Sequence, residues 1–142
     1  MPRYLQATTE RFPVAGSFTI SRGTRTHADV VTCIIREGSF TGRGECVPYP
    51  RYGESIEGVL ADIEAMAERT AAGLTRQELQ LAMKPGAARN AVDCALWDLE
   101  AKISGRSTAE QVLGQAAKPL VTAYTISLAD PETMAAKTAE NA

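Results

Sequence analysis

Residues Gly86 to Gly105 constrain this chain more than any other stretch. Pro85 and Gly86 precede the run and Gly105 closes it, the breakers expected at a helix start and at a C′ position. Val92, Leu96, Leu99 and Ile103 recur at steps of four, three and four, which makes one apolar stripe of a helix. Ala88, Ala91 and Ala95 widen that stripe with small residues, so a second element can approach closely. The residues before this helix read as a small mixed domain. Those after it read as the start of something larger.

Around the helix, strands come first and further helices after. Tyr4 to Pro13 reads as weakly extended, and Val14 to Thr26 as a polar, Gly-containing loop with two close arginines, Arg22 and Arg25. Ala28 to Arg36 is the strongest strand, because Val30, Val31, Thr32, Ile34 and Ile35 are β-branched. Glu37-Gly38-Ser39 is a hairpin signal and Phe40 to Cys46 the returning strand. Its Gly42 and Gly44 fall at alternate positions, point to one face, and signal close approach of another backbone. The three segments make a three-stranded antiparallel meander. Val47 to Glu54 is a second loop, stiffened by Pro48 and Pro50.

Ser55 is placed to cap a helix with apolar positions Ile56, Val59, Leu60, Ile63 and Met66, ending at Gly73. Thr75 with Glu78 is a capping box for a short helix to Met83, and Ser107 with Glu110 is another, for a helix ending at Gly114. Strands and then helices give an α+β layout. After Pro119, Leu120 to Leu128 is apolar on both parities, as in a strand covered on both faces in a parallel sheet or barrel. Asp130 and Pro131 supply an N-cap and a proline at N1 for a final helix. A β-α unit standing last lacks a parallel partner, so the sequence is expected to be the front part of a longer protein.

Composition excludes several function classes. The net charge is -2 and the sequence pI about 5.5, which leaves no basic footprint for nucleic acid. No apolar run approaches the roughly 18 residues of a membrane span, and the first residues have no apolar h-region of a secretory signal. Cys33, Cys46 and Cys94 are odd in number and far apart, which fits buried thiols in a reducing cytoplasm. The single histidine, His27, leaves no multi-histidine metal site.

Two loops hold the candidate recognition groups. Arg22 and Arg25 flank Gly23 and Thr24, and an arginine beside glycine can grip a carboxylate by two parallel hydrogen bonds. Read as residues alone, they fit a solvated loop charge as well. Tyr49 and Tyr52 either wall a pocket or pack their loop onto the sheet. Thr125 lies near the end of the expected barrel strand, where barrel sites are built, or is an ordinary strand threonine. Asp93, Asp98 and Glu100 do not converge on one ion at helical spacing. Asp98 with Lys102 is an i,i+4 pair, and Asp93 is expected to pair with Arg89 or the edge of Trp97. The lysines are scattered, and no phosphate loop, Ser-His-Asp set or Cys-His pair is present. The residues thus offer recognition without catalytic groups.

The run Ala88-Arg89-Asn90-Ala91-Val92-Asp93-Cys94-Ala95-Leu96-Trp97-Asp98-Leu99 resembles a helical motif of the enolase superfamily, in its muconate-lactonising branch. Together with Gly44 to Ser55 and Arg22-Gly23-Thr24-Arg25, the sequence is similar to that of the dipeptide epimerases that interconvert L-Ala-D-Glu and L-Ala-L-Glu. The resemblance implies an α+β N-terminal capping domain over residues 1–118. It implies the first β-α unit of a truncated (β/α)-barrel over residues 119–142. It implies too that the helix at Gly86–Gly105 joins the two domains, its small-residue face packing cap against barrel. Arg25 matches the loop arginine that binds the substrate's glutamate carboxylate, and Thr125 a substrate-contacting threonine on the first barrel strand. Tyr49 and Tyr52 join them as substrate-binding residues.

The family is an isomerase family whose epimerisation uses two lysines and a Mg²⁺ held by three carboxylates, which stabilises an enolate. No position here matches those lysines or metal ligands, which are expected beyond Ala142, so the 142-residue chain alone is expected to be inactive. The implied partners are a small acidic dipeptide and either a homo-oligomer or the remaining barrel segment, with no nucleic acid and no membrane. A muconate cycloisomerase, an o-succinylbenzoate synthase and a non-catalytic interaction domain are the competing readings.

Overall fold

A three-stranded antiparallel sheet in the order β1-β2-β3 forms the base of the computed structural model, which describes residues 1–141. β1 spans Arg3–Ile20, β2 Gly23–Glu37 and β3 Phe40–Cys46. The β2–β3 turn is the two residues Gly38 and Ser39, with Glu37 paired to Phe40 and Gly38 at φ 59°. A first-position glycine with positive φ is what a tight hairpin turn of the II′ type asks for. The register sets Val31 opposite Cys46, Cys33 opposite Gly44 and Ile35 opposite Gly42. Large side chains on β2 therefore face glycines on β3, and this leaves a trough along one face of the sheet.

The trough is filled by α4, Ala87–Ser104, the helix announced by the sequence. A Cβ built on Gly42 would run into the Ala95 carbonyl oxygen and stand 2.6 Å from the Leu99 Cβ; one on Gly44 would run into the Ala91 carbonyl oxygen. The two glycines let helix and sheet backbones touch, as expected. Ala91, Val92, Ala95, Leu96 and Leu99 are wholly buried there with Val31, Cys33 and Ile35. The small-residue face of α4 is thus used against β3, not kept for a second domain as the resemblance implied. Ile103, placed on the apolar stripe from sequence, is 44% exposed, because the helix has run past the sheet by its last turn.

The remaining helices brace α4. Ser55 caps α1, Ile56–Glu64, through the Gly58 amide at 3.0 Å. The single helix expected from Ser55 to Gly73 is broken after Glu64 and resumes as α2, Ala67–Ala71. Met66, Thr70 and Leu74, four residues apart in turn as on one helical face, all stay inward across the break. Both capping boxes form, on α3, Arg76–Ala82, and on α5, Thr108–Leu113. Asp93 meets neither Arg89 nor Trp97. It accepts from Gln80 at 3.3 Å, while Arg89 reaches toward backbone carbonyls and Trp97 is covered by the Arg76 guanidinium, 3.3 Å from its ring centre. Asp98 does pair with Lys102 at 2.7 Å. It also accepts the Arg43 amide while Lys102 takes the Thr41 carbonyl, so the pair closes the free edge of β3.

Two readings of the sequence are corrected here. Val14–Thr26 is no loop: β1 and β2 continue through it as a long hairpin turning at Ser21 and Arg22. Apolar alternation is missing because this part of the hairpin is exposed on both faces, and Pro13 is tolerated because β1 is an edge strand. Leu120–Leu128 in turn forms no strand, since a parallel strand exists only against neighbours. Leu120, Val121 and Tyr124 are exposed. The helix expected after it does form, as α6, Pro131–Asn141, with Asp130 accepting the Thr133 amide at 2.9 Å.

The chain packs as two units. One comprises Met1–Glu10 with Asp29–Ala117 and contains the core; the other comprises Arg11–Ala28 with the segment from Lys118 on.

Candidate functional site

The first unit carries Tyr49 and Tyr52. Pro48 and Pro50 restrict the loop, and Pro50–Tyr52 forms one 3₁₀ turn closed by Gly53 at φ 74°. The turn brings the two rings together, with centroids 5.7 Å apart and planes at 41°. Tyr49 is half-buried and Tyr52 is 76% exposed, so the pair does not simply pack the loop onto the sheet. Beside it lies a cleft of about 720 Å³ whose charged walls are Glu54, Asp62 and Lys84. Two carboxylates against one ammonium make this a poor grip for an anion.

No local signal in the sequence marks the residue that holds this loop. Glu54 accepts the Tyr49 amide at 2.9 Å with one carboxylate oxygen and the Ala87 amide at 2.7 Å with the other. The Ala87 amide is one of the unpaired donors at the start of α4, so a carboxylate there is favoured by hydrogen bonding and by the helix dipole. The Ala87 and Tyr49 bonds, helped by Lys84, hold the Glu54 carboxyl below the usual glutamate range, against a smaller upward push from burial. Only its position one residue before the Ser55 cap is legible; its partner lies 33 residues away.

The second unit carries Arg25 and Thr125. Arg25 sits on β2, three positions past the turn at Ser21 and Arg22, with an exposed side chain. It is therefore presented by a hairpin and not by a floppy loop. Thr125 is exposed in the irregular stretch before α6. The two segments of this unit meet at Thr19. Its amide donates to Ser127 Oγ at 2.9 Å, and its carbonyl accepts the Leu128 amide at 2.8 Å. Sequence reasoning misses Thr19 and Ser127 as well, since nothing local marks residues that bond over a separation of 108.

Of the three thiols expected to be buried, Cys33 and Cys46 are buried and Cys94, on the outward side of α4, is exposed. Burial pushes Cys33 up to about 12 and Cys46 up to about 11, so neither supplies a thiolate near neutral pH. Among the described residues, no group of three or more His, Cys, Asp or Glu side chains is placed to hold a metal ion. The residues present therefore do not fit the Mg²⁺ that the resemblance implies, and no helix among them is long and apolar enough to cross a membrane.

Known proteins share both sequence and shape with this chain. It is 44% identical over 126 residues to the L-Ala-D/L-Glu epimerase of Escherichia coli K12, covering 89% of this chain and 39% of that protein. It is 39% identical over 110 residues to an N-acetyl-D-glutamate racemase of a Pseudoalteromonas species, covering 74% of this chain and 34% of that one. A crystal structure of an enolase family member from Agrobacterium tumefaciens with homology to dipeptide epimerases, with bound sodium and L-Ala-L-Glu and an ordered loop, superposes with a TM-score of 0.92. It is 88% identical and covers 99% of this chain and 43% of that one. The chain thus spans about two fifths of the length of these relatives. Residues 4–114 match the N-terminal domain of the mandelate racemase / muconate lactonizing enzyme family, and the chain belongs to that family.

Proposed function

We propose that this chain is the capping portion of a dipeptide epimerase that inverts the α-carbon of the glutamate in L-Ala-D/L-Glu. Its part is recognition. Arg25 grips the side-chain carboxylate of the substrate, Thr125 contacts the dipeptide, and Tyr49 and Tyr52 wall its approach. The boundary between cap and barrel is proposed at residues 118 and 119. The proton-transferring lysines and the carboxylates for Mg²⁺ belong, in this reading, to residues outside this chain, and no chemical step is assigned to the residues in hand. The free thiols accord with a reducing, cytoplasmic location.

One observation carries the proposal: an exposed arginine on a hairpin end, in a chain 44% identical over 126 residues to an L-Ala-D/L-Glu epimerase. A bidentate guanidinium–carboxylate contact is lost whole when the arginine becomes an apolar side chain. In the complete polypeptide, Arg25→Met is expected to lower kcat/KM for L-Ala-L-Glu by roughly 10- to 100-fold, the worth of charge-assisted hydrogen bonds. The thermal midpoint should stay where it was, because the side chain is exposed. Epimerisation at the wild-type rate would sink the assignment.

A further inference from the structure

We propose that Ser127 is a positioning residue: its hydroxyl fastens the segment carrying Thr125 to the outer edge of β1, and so fixes where the hairpin end bearing Arg25 stands. The proposal rests on the dipeptide-binding roles proposed above for Arg25 and Thr125.

The geometry is that of a bridge between strands with one partner replaced. In a strand, the amide and the carbonyl of one residue point to the same side. β1 is an edge strand, so Thr19 presents both groups outward, where no ladder satisfies them. The Leu128 amide fills the carbonyl at 2.8 Å, as a neighbouring strand would. The Thr19 amide goes to the Ser127 hydroxyl at 2.9 Å, where a neighbouring strand would offer a backbone carbonyl. The same hydroxyl lies 3.4 Å from the Ser17 carbonyl, to which it donates. A side chain therefore stands in for a strand's carbonyl at Thr19, so the identity of residue 127 matters. Alanine cannot accept the amide; threonine can.

The fastening lies close to both recognition groups. Thr19 Oγ1 is 2.9 Å from Thr24 Oγ1 across the hairpin, and Arg25 is the next residue. Thr125 is two residues before Ser127. Thr19 and Ser127 are half-buried while the neighbouring Arg25 and Thr125 are exposed, so the hydrogen-bonded cluster is a fixed point beside both proposed recognition groups. Released from Ser127, the hairpin would lose its tie on one side, and part of the ordering around Arg25 would have to be supplied by the substrate.

The test uses Ser127→Ala and Ser127→Thr in the complete polypeptide, with Arg25→Met alongside and L-Ala-L-Glu as the probe. Ser127→Ala is expected to speed hydrogen exchange at the Thr19 amide and to raise KM by roughly five- to tenfold, more than it lowers kcat, as the loss of one net hydrogen bond would. Ser127→Thr should restore both. Unchanged Thr19 exchange in Ser127→Ala overturns the fastening itself. Faster exchange with an unmoved KM, where Arg25→Met has cut turnover, overturns the positioning role and leaves the function standing. If Arg25→Met leaves turnover intact, the dipeptide reading fails and the positioning role with it, while Thr19 exchange still decides whether the fastening exists.

Discussion

β2 passes through two environments. From Val30 to Cys33 it is buried on both faces, between β1 and β3 and beneath α4. From Gly23 to His27 it is exposed at every residue. The hydrogen-bonded hairpin is continuous, yet only one end has a core. At the buried end, position is set by close packing, which resists displacement in every direction. At the exposed end it is set by a few hydrogen bonds, which hold at particular points and let the rest move. That distribution suits the recognition role proposed for Arg25: rigid where the sheet meets the helix, adjustable at the exposed end.

The sharpest way to break the buried end is to give one glycine a side chain. Gly44→Ala places a Cβ against the Ala91 carbonyl oxygen and 2.6 Å from the Ala95 amide nitrogen, so α4 must lift off β3. Overpacking against side chains costs about 1–3 kcal/mol, and here the obstacle is backbone, so a loss at or above about 3 kcal/mol is expected. Chemical denaturation of the purified chain reads it. A midpoint close to wild type would mean that helix and sheet are less tightly apposed than the glycines require.

The buried end is also the legible end. Val92, Leu96 and Leu99 repeat at helical spacing, Gly42 and Gly44 alternate on a strand, and each pattern is a direct imprint of the face it packs against. The capping boxes at Thr75 and Ser107 are legible because both partners lie within one turn. The distal hairpin reads as a loop because its strands bury no side chain fully and so leave no period; its strand-forming, half-buried Phe18, Thr19 and Ile20 are the signal available there. Leu120–Leu128 misleads for the opposite reason. Its composition suits a covered strand, but a strand is made by its neighbours. Glu54 and Ser127 escape because each bonds to a backbone amide far away, and a backbone amide has no sequence signature. Of the proposed recognition residues, Arg25 and Thr125 are assigned their roles through a family resemblance, not through periodicity.

Glu54 stands between the two regimes, since it ties an exposed loop to the start of the buried helix. Glu54→Gln keeps one acceptor oxygen and sets an NH₂ against the other amide, so a loss of about 1 kcal/mol is expected. The pH dependence has a definite sign. The folded carboxyl titrates below its unfolded value, so its contribution is complete above the ordinary glutamate range and is lost as the pH falls through the lowered folded value. The Tyr49 and Ala87 amide resonances should shift together in that acid window and stay still in Glu54→Gln. If they move independently in the wild type, two separate events are being observed and the shared carboxylate is not the tie.

The smallest expected effect gives the cleanest comparison, because it uses one residue type in one strand. Thr32 and Thr26 both lie on β2, six positions apart and therefore on the same face. Thr32 is 1% exposed and donates to Glu10 at 2.8 Å, while the same carboxylate oxygen takes Arg43 at 2.7 Å. Thr26 is exposed and bonds only locally, to His27 Nδ1 at 2.9 Å among its side-chain contacts. Valine keeps the β-branch and the shape in both places and removes only the hydroxyl. Thr32→Val should cost about 1 kcal/mol, not more, because Arg43 still satisfies Glu10. Thr26→Val should fall within about 0.5 kcal/mol of zero, as exposed substitutions do. Equal effects at the two sites would mean that the exposed end is as tightly determined as the buried one, and the division of β2 into a packed scaffold and an adjustable arm would fail.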